Sequence, residues 1–108
     1  MEKVARYGKF VAQDGRGAEL AELLLGAANA LEGVAGCELY LVNRQADASD
    51  TIWVTELWRS QADLDDALKQ VAGSPEAAAA MRLVQSAEMI ELDLLGGAGL
   101  ASSGSSAA

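Results

Sequence analysis

Glu56 and Trp58 stand two residues apart in the run Trp53-Val54-Thr55-Glu56-Leu57-Trp58, and the alternation of an extended chain puts both side chains on one face, with Ile52 and Val54. A carboxylate beside an indole on an otherwise apolar face has two uses. If the face lines an apolar cavity, the desolvated carboxylate suits general-base work and Trp58 supplies an aromatic wall for a flat substrate. If the face is packed core, the glutamate makes a buried hydrogen bond or an ion pair with an arginine such as Arg6, Arg44 or Arg82. Trp53 lies on the opposite face with Thr55 and Leu57, where it could line a pocket or a dimer interface. Tyr40 and Asn43 sit on opposite faces of the preceding β-rich run, so at most one of them reaches any given cavity.

Other chemistry is excluded by what the chain lacks. It contains no histidine, which removes a Ser-His-Asp triad, a Cys-His pair, His-ligated zinc and the usual proximal ligand of haem. Its one cysteine, Cys37, has no internal disulfide partner and begins a strand-like run among apolar neighbours, where a free thiol packs as a small hydrophobe. No metal site is expected. Sixteen acidic residues against eight basic ones give a formal charge of −8, which repels nucleic acid and anionic membrane surfaces. No apolar stretch reaches the roughly 20 residues of a membrane span, and Met1-Glu2-Lys3-Val4 lacks the layout of a signal peptide. The expected location is the cytoplasm.

The elements that position these residues follow from periodicity. Val4 to Val11 reads as a first strand, with Gly8 marking a bulge or a close approach. After the turn-like Asp14-Gly15-Arg16-Gly17, the residues Leu20, Leu23, Leu24, Ala27, Ala28 and Leu31 form one helical face, closed at Gly33. Cys37 to Arg44 and Thr51 to Trp58 read as two strands of a hairpin around a polar turn at Ala46–Asp50. Ser60-Gln61-Ala62-Asp63 is a capping box, and Leu64, Ala67, Leu68 and Val71 continue at helical spacing. Ser74-Pro75 starts a further helix with Ala77, Ala80, Met81 and Val84 inward. Ile90-Glu91-Leu92-Asp93-Leu94 alternates as a strand with one wet face, and Met81 and Met89 read as gap-fillers.

The order β-α-β-β-α-α-β predicts an α+β, ferredoxin-like fold, with helices on one face of a four-stranded antiparallel sheet. Apolar residues on both faces of the hairpin call for a cover on the other side. The simplest cover is a second copy, giving a homodimer shaped as a dimeric α+β barrel. One domain is expected over residues 1–100, followed by a flexible Gly/Ser/Ala tail over 101–108.

The sequence resembles the antibiotic biosynthesis monooxygenase (ABM) domains of the dimeric α+β barrel superfamily. The resemblance runs from Tyr7 to Leu100. It is carried by Tyr7-Gly8-Lys9-Phe10, by Gly36-Cys37-Glu38-Leu39-Tyr40, by Leu95-Gly96-Gly97-Ala98-Gly99-Leu100 and most specifically by Trp53-Val54-Thr55-Glu56-Leu57-Trp58-Arg59-Ser60. It implies a homodimeric monooxygenase without metal, flavin or haem, which inserts oxygen from O₂ into electron-rich aromatics such as anthrones and hydroquinones. In quinone-forming members a tryptophan at the Trp58 position works with a side-chain amide four residues earlier and a Tyr or His six residues later. Here those positions are Val54 and Leu64, neither of which can hydrogen-bond a substrate hydroxyl. The resemblance points to Trp58 as a candidate catalytic residue and to Val54 and Leu64 as candidate substrate contacts; strand position adds Glu56 as a second candidate catalytic residue and Trp53, Tyr40 and Asn43 as further candidate substrate contacts. A non-catalytic dimeric module that binds a small apolar ligand is the other function open to this chain.

Overall fold

In the computed structural model, which describes residues 3–99, seven elements follow one another as expected: β1 (Val4–Ala12), α1 (Gly17–Leu31), β2 (Cys37–Gln45), β3 (Ala48–Trp58), α2 (Gln61–Val71), α3 (Pro75–Leu83) and β4 (Val84–Asp93). The expected tail at 101–108 and Leu100, where the resemblance ends, lie outside the described residues. The strands form one antiparallel sheet in the order β2-β3-β1-β4, so the fold is the α+β, ferredoxin-like one.

Each helix has a local cause and a local stop. Along α1, Leu20 is fully buried and Leu23, Leu24, Ala27, Ala28 and Leu31 are partly so, while Gly33 closes the helix at φ +82°. Its first turn is capped from afar. The Asp50 carboxylate on β3 accepts the backbone N–H groups of Gly15 and Gly17, each at 2.9 Å. The Ser60 hydroxyl accepts the Asp63 N–H at 3.2 Å to start α2, and the Ser74 hydroxyl accepts that of Ala77 at 3.0 Å to start α3.

The strand boundaries differ from the sequence reading most at the hairpin and at the start of β4. The hairpin turn contracts to Ala46-Asp47, because Ala48, Ser49 and Asp50 pair as strand. β4 begins at Val84 rather than Ile90, since Val84 and Ser86 to Glu88 pair with β1 although polar residues hide their strand character. Val84 is therefore strand, not helix. On α3 it is Leu83 that turns inward, at 8 % exposure, while Met81 is 59 % exposed and fills no gap. Gly8 sits in regular register with both neighbours, and the bulge lies at Val11/Ala12.

The two sheet faces have different neighbours. On one, Ala12, Leu20, Ile52 and Leu83 form a core under α1 and α3, and Trp58, Leu64 and Ala67 form a second core under α2. Register places Tyr7, Leu41, Trp53, Leu57, Ile90 and Leu92 on the other. Of these, Tyr7, Leu41, Ile90 and Leu92 are 40–55 % exposed, an apolar surface spread over three strands. In β4 Ile90 and Leu92 face this open side, and Ala87, Met89, Glu91 and Asp93 face the helix side.

Candidate functional site

Cross-strand register assembles the site in rows on the helix side of the sheet. Val4, Trp58 and Cys37 form one row; Glu91, Arg6, Glu56 and Tyr40 form the next; Met89, Gly8, Val54 and Val42 form the third. The second row places charged or hydroxyl groups from all four strands in line. At its centre Glu56 is 4 % exposed, and the side chain of Arg6 is 12 % exposed.

Glu56 accepts three hydrogen bonds there. Its Oε1 accepts the Trp58 Nε1–H at 2.8 Å and the Arg6 Nε–H at 3.3 Å, while Oε2 accepts Arg6 Nη2–H at 3.2 Å. Of the three arginines the sequence offered, register selects Arg6, because it is the direct cross-strand partner of Glu56. Arg44 lies opposite Ile52, and Arg82 is on α3. The acid is thus held by a guanidinium and an indole rather than standing alone in apolar surroundings. A carboxylate offers about four acceptor positions, so one position on Oε2 is left.

Tyr40 is the direct partner of Glu56 on β2. Burial, and then the negative charge of Glu56, push its phenol up to about 12, so the hydroxyl keeps its proton at neutral pH and can donate it in a hydrogen bond. Burial also pushes the Cys37 thiol up, with Glu56 adding to the shift, which fits a packing role beside Trp58 rather than a nucleophile. Val54 and Leu64 are at 1 % and 0 % exposure, and neither has a polar side-chain atom to offer. Leu64 packs against Trp58 and closes the site from the α2 side.

The α2 roof is pinned at its start. The Asp63 carboxylate accepts Arg59 Nε–H at 2.8 Å and the Ser60 hydroxyl at 2.9 Å, which together hold it below the ordinary carboxylate range. It also packs against the backbone of Gly36, at φ +87°, leaving no room for a side chain there.

The structure divides the sequence-derived candidates. Trp58, Glu56, Tyr40, Val54 and Leu64 come together on the helix side. Trp53 and Asn43 are cross-strand partners on the open face, where Trp53 Nε1–H donates to Gln45 Oε1 at 2.9 Å and Lys9 Nζ lies 5.6 Å from its ring centre. One wall built from both tryptophans is not formed. Two open surface hollows lie elsewhere, beside Arg16, which is exposed and paired with Glu19.

Comparison with known proteins agrees with the fold. The sequence profile of the family described as antibiotic biosynthesis monooxygenase matches residues 4–83. A search of curated proteins finds no match. Among solved structures, one from Chloroflexus aurantiacus, provisionally described as an antibiotic biosynthesis monooxygenase, is 26 % identical with a TM-score of 0.79, over 91 % of this chain and 98 % of that one. SnoaB of Streptomyces nogalater, a cofactor-independent oxygenase, shares the fold at 18 % identity and a TM-score of 0.79, over the same shares of the two chains. A protein of Mycobacterium tuberculosis shares it at 24 % identity and a TM-score of 0.74, covering 90 % of this chain and 99 % of that one.

Proposed function

The chain belongs to the antibiotic biosynthesis monooxygenase family, and we propose that it is a cofactor-independent monooxygenase of small electron-rich aromatics, working as a homodimer. The observation that carries this reading is the buried Arg6–Glu56–Trp58 chain on the helix side of the sheet, with Tyr40 beside it. A similar fold serves cofactor-independent oxygenation in SnoaB.

In the reaction an activated ring CH₂ and O₂ become a ring C=O and water. The substrate carbon gives up four electrons, one oxygen atom enters the product, and the other leaves as water. Glu56 takes the first proton from the substrate at its remaining Oε2 position, with Arg6 compensating its charge before the transfer. The resulting anion passes an electron to O₂ and the two radicals join as a peroxide. Glu56 returns the first proton to the peroxide; loss of the second C–H proton then breaks the O–O bond and releases hydroxide, which that proton converts to water. Tyr40, kept neutral, donates a hydrogen bond to the developing oxyanion. Trp58 and Leu64 exclude water from the site.

The homodimer uses the open sheet face, where Tyr7, Leu41, Ile90 and Leu92 lie exposed beside Trp53. A second copy of the same face covers all of them at once.

The test is oxygen uptake with anthrones and hydroquinones, comparing the purified protein with Trp58→Phe and Glu56→Gln. Uptake well above the spontaneous rate, falling at least about tenfold in Glu56→Gln, supports the reading. A second reading, a dimeric module that binds a small apolar ligand without turnover, draws on the hydrogen bond that Trp58 already gives to Glu56 and on the apolar Val54 and Leu64. Binding without oxygen uptake would favour it.

A further inference from the structure

Gly8 lies in the middle of β1 on the helix side, in regular register with Val54 on one flank and Met89 on the other. It is buried although it has no side chain, because other side chains lie over it: a Cβ at Gly8 would meet Met89 Cε and Phe10 Cε2 at 2.9 Å and Met89 Sδ at 3.2 Å. The recess left by the missing side chain is therefore filled by the end of a methionine. Met89 is itself 41 % exposed and comes from β4, whereas the helices pack on β1, β2 and β3. An unbranched thioether on an outer strand moves at little cost.

The recess adjoins the polar row. Two residues along β1 and β3 separate Gly8 and Val54 from Arg6 and Glu56, a distance of about 7 Å along a strand, with about 5 Å between strands. That matches an aromatic ring lying flat on the Gly8–Val54 backbone with one ring substituent at Glu56. Val54 at 1 % exposure and Phe10 supply apolar walls, and the buried Arg6–Glu56 pair supplies the one polar end.

We propose that the recess over Gly8 is the ring subsite for a flat phenol, with Met89 as its displaceable cover and Glu56 as the acceptor of the phenolic hydroxyl. The inference rests on the functional reading above and names the place and shape of its substrate. Gly8 and Met89 are specificity-determining positions: the first sets the depth of the subsite, the second its width. The ligand approaches from the β4 side, so α2 stays in place over Trp58.

The experiment uses the full chain, carbon-13-labelled at the methionine methyl groups, titrated with 1-naphthol, a bicyclic phenol stable enough to be used without turnover. The ring current of the bound naphthol is expected to shift the Met89 methyl signal, assigned by its loss in Met89→Leu, while that of Met81 on α3 stays in place. Gly8→Ala is expected to weaken binding at least about tenfold, because its Cβ takes the floor of the subsite; the nearest atoms it meets belong to the side chains of Met89 and Phe10 rather than to backbone, and the methionine end can give way. Circular dichroism and an unchanged melting transition establish that the variant is folded. Met89→Ala is expected to bind 1-naphthol at least as tightly as wild type and to admit 1-anthrol, one ring larger. Binding of 1-naphthol with the Met89 methyl unmoved, or with folded Gly8→Ala as tight as wild type, overturns the subsite and leaves the oxygenase reading standing. No binding to wild type also overturns it, and oxygen uptake then decides the oxygenase reading separately.

Discussion

Trp58 donates its indole N–H to the carboxylate of Glu56 at 2.8 Å, two residues back along the same strand, and the same oxygen accepts Arg6 Nε–H from the neighbouring strand at 3.3 Å. One carboxylate therefore fixes both the orientation of the indole and the place of the buried guanidinium. The polar interior of the site stands or falls with Glu56.

Removing that carboxylate leaves the Arg6 guanidinium buried without its counter-charge. Glu56→Gln is expected to lose about 2 kcal/mol or more of stability in urea denaturation at fixed protein concentration. The double variant Arg6→Met/Glu56→Met is expected to lose less than the two single changes added together, because it leaves no orphaned charge. Full additivity would mean that the pair does not interact.

Tyr40 predicts an alkaline limit. Its phenol holds its proton in the folded chain up to about 12, against an ordinary value of 10.0. Between those two values the unfolded chain has lost a proton that the folded chain keeps, so stability falls as pH rises through this window and is undiminished by this group below it. Ultraviolet titration of tyrosinate should show a step near 12 that disappears in Tyr40→Phe. That variant should also lose stability more slowly across the same window.

At Gly36 the prediction is steric. An alanine there meets the Asp63 side chain and must hold φ +87°, a region that L side chains rarely adopt. Gly36→Ala is expected to destabilise the fold by about 2–3 kcal/mol. The loss of the α2 anchor should increase amide hydrogen exchange in Gln61–Val71 more than in α1.

On the open face, Leu41→Asp and Ile90→Asp each place a carboxylate on a surface that the proposed homodimer buries. Sedimentation equilibrium is expected to show a dimer for wild type and a monomer, or a dimer weakened at least about a hundredfold, for each variant. An unchanged mass would exclude this face as the interface.

The order of elements was legible in the sequence because periodicity and caps are local. The α1 face from Leu20 to Leu31, the Ser60 and Ser74 caps and the two faces of Trp53–Trp58 all reappear in the structure. So did the pairing of Glu56 and Trp58 on one face. The start of β4 was hidden, because Ser86 and Glu88 are strand residues with polar side chains, and their conformation comes from pairing with β1.

Contacts between residues distant in the chain were decided only by tertiary structure. Arg6, Arg44 and Arg82 were equal partners for Glu56 in the sequence, and antiparallel register across 50 residues chose Arg6. The same register set Asn43 beside Trp53 on the open face and Tyr40 beside Glu56 on the other, brought Asp50 to the start of α1 and laid Met89 over Gly8. Side-chain pattern fixes the face a residue occupies, whereas strand register fixes the neighbour it meets, and register is settled by the whole sheet closing on its core.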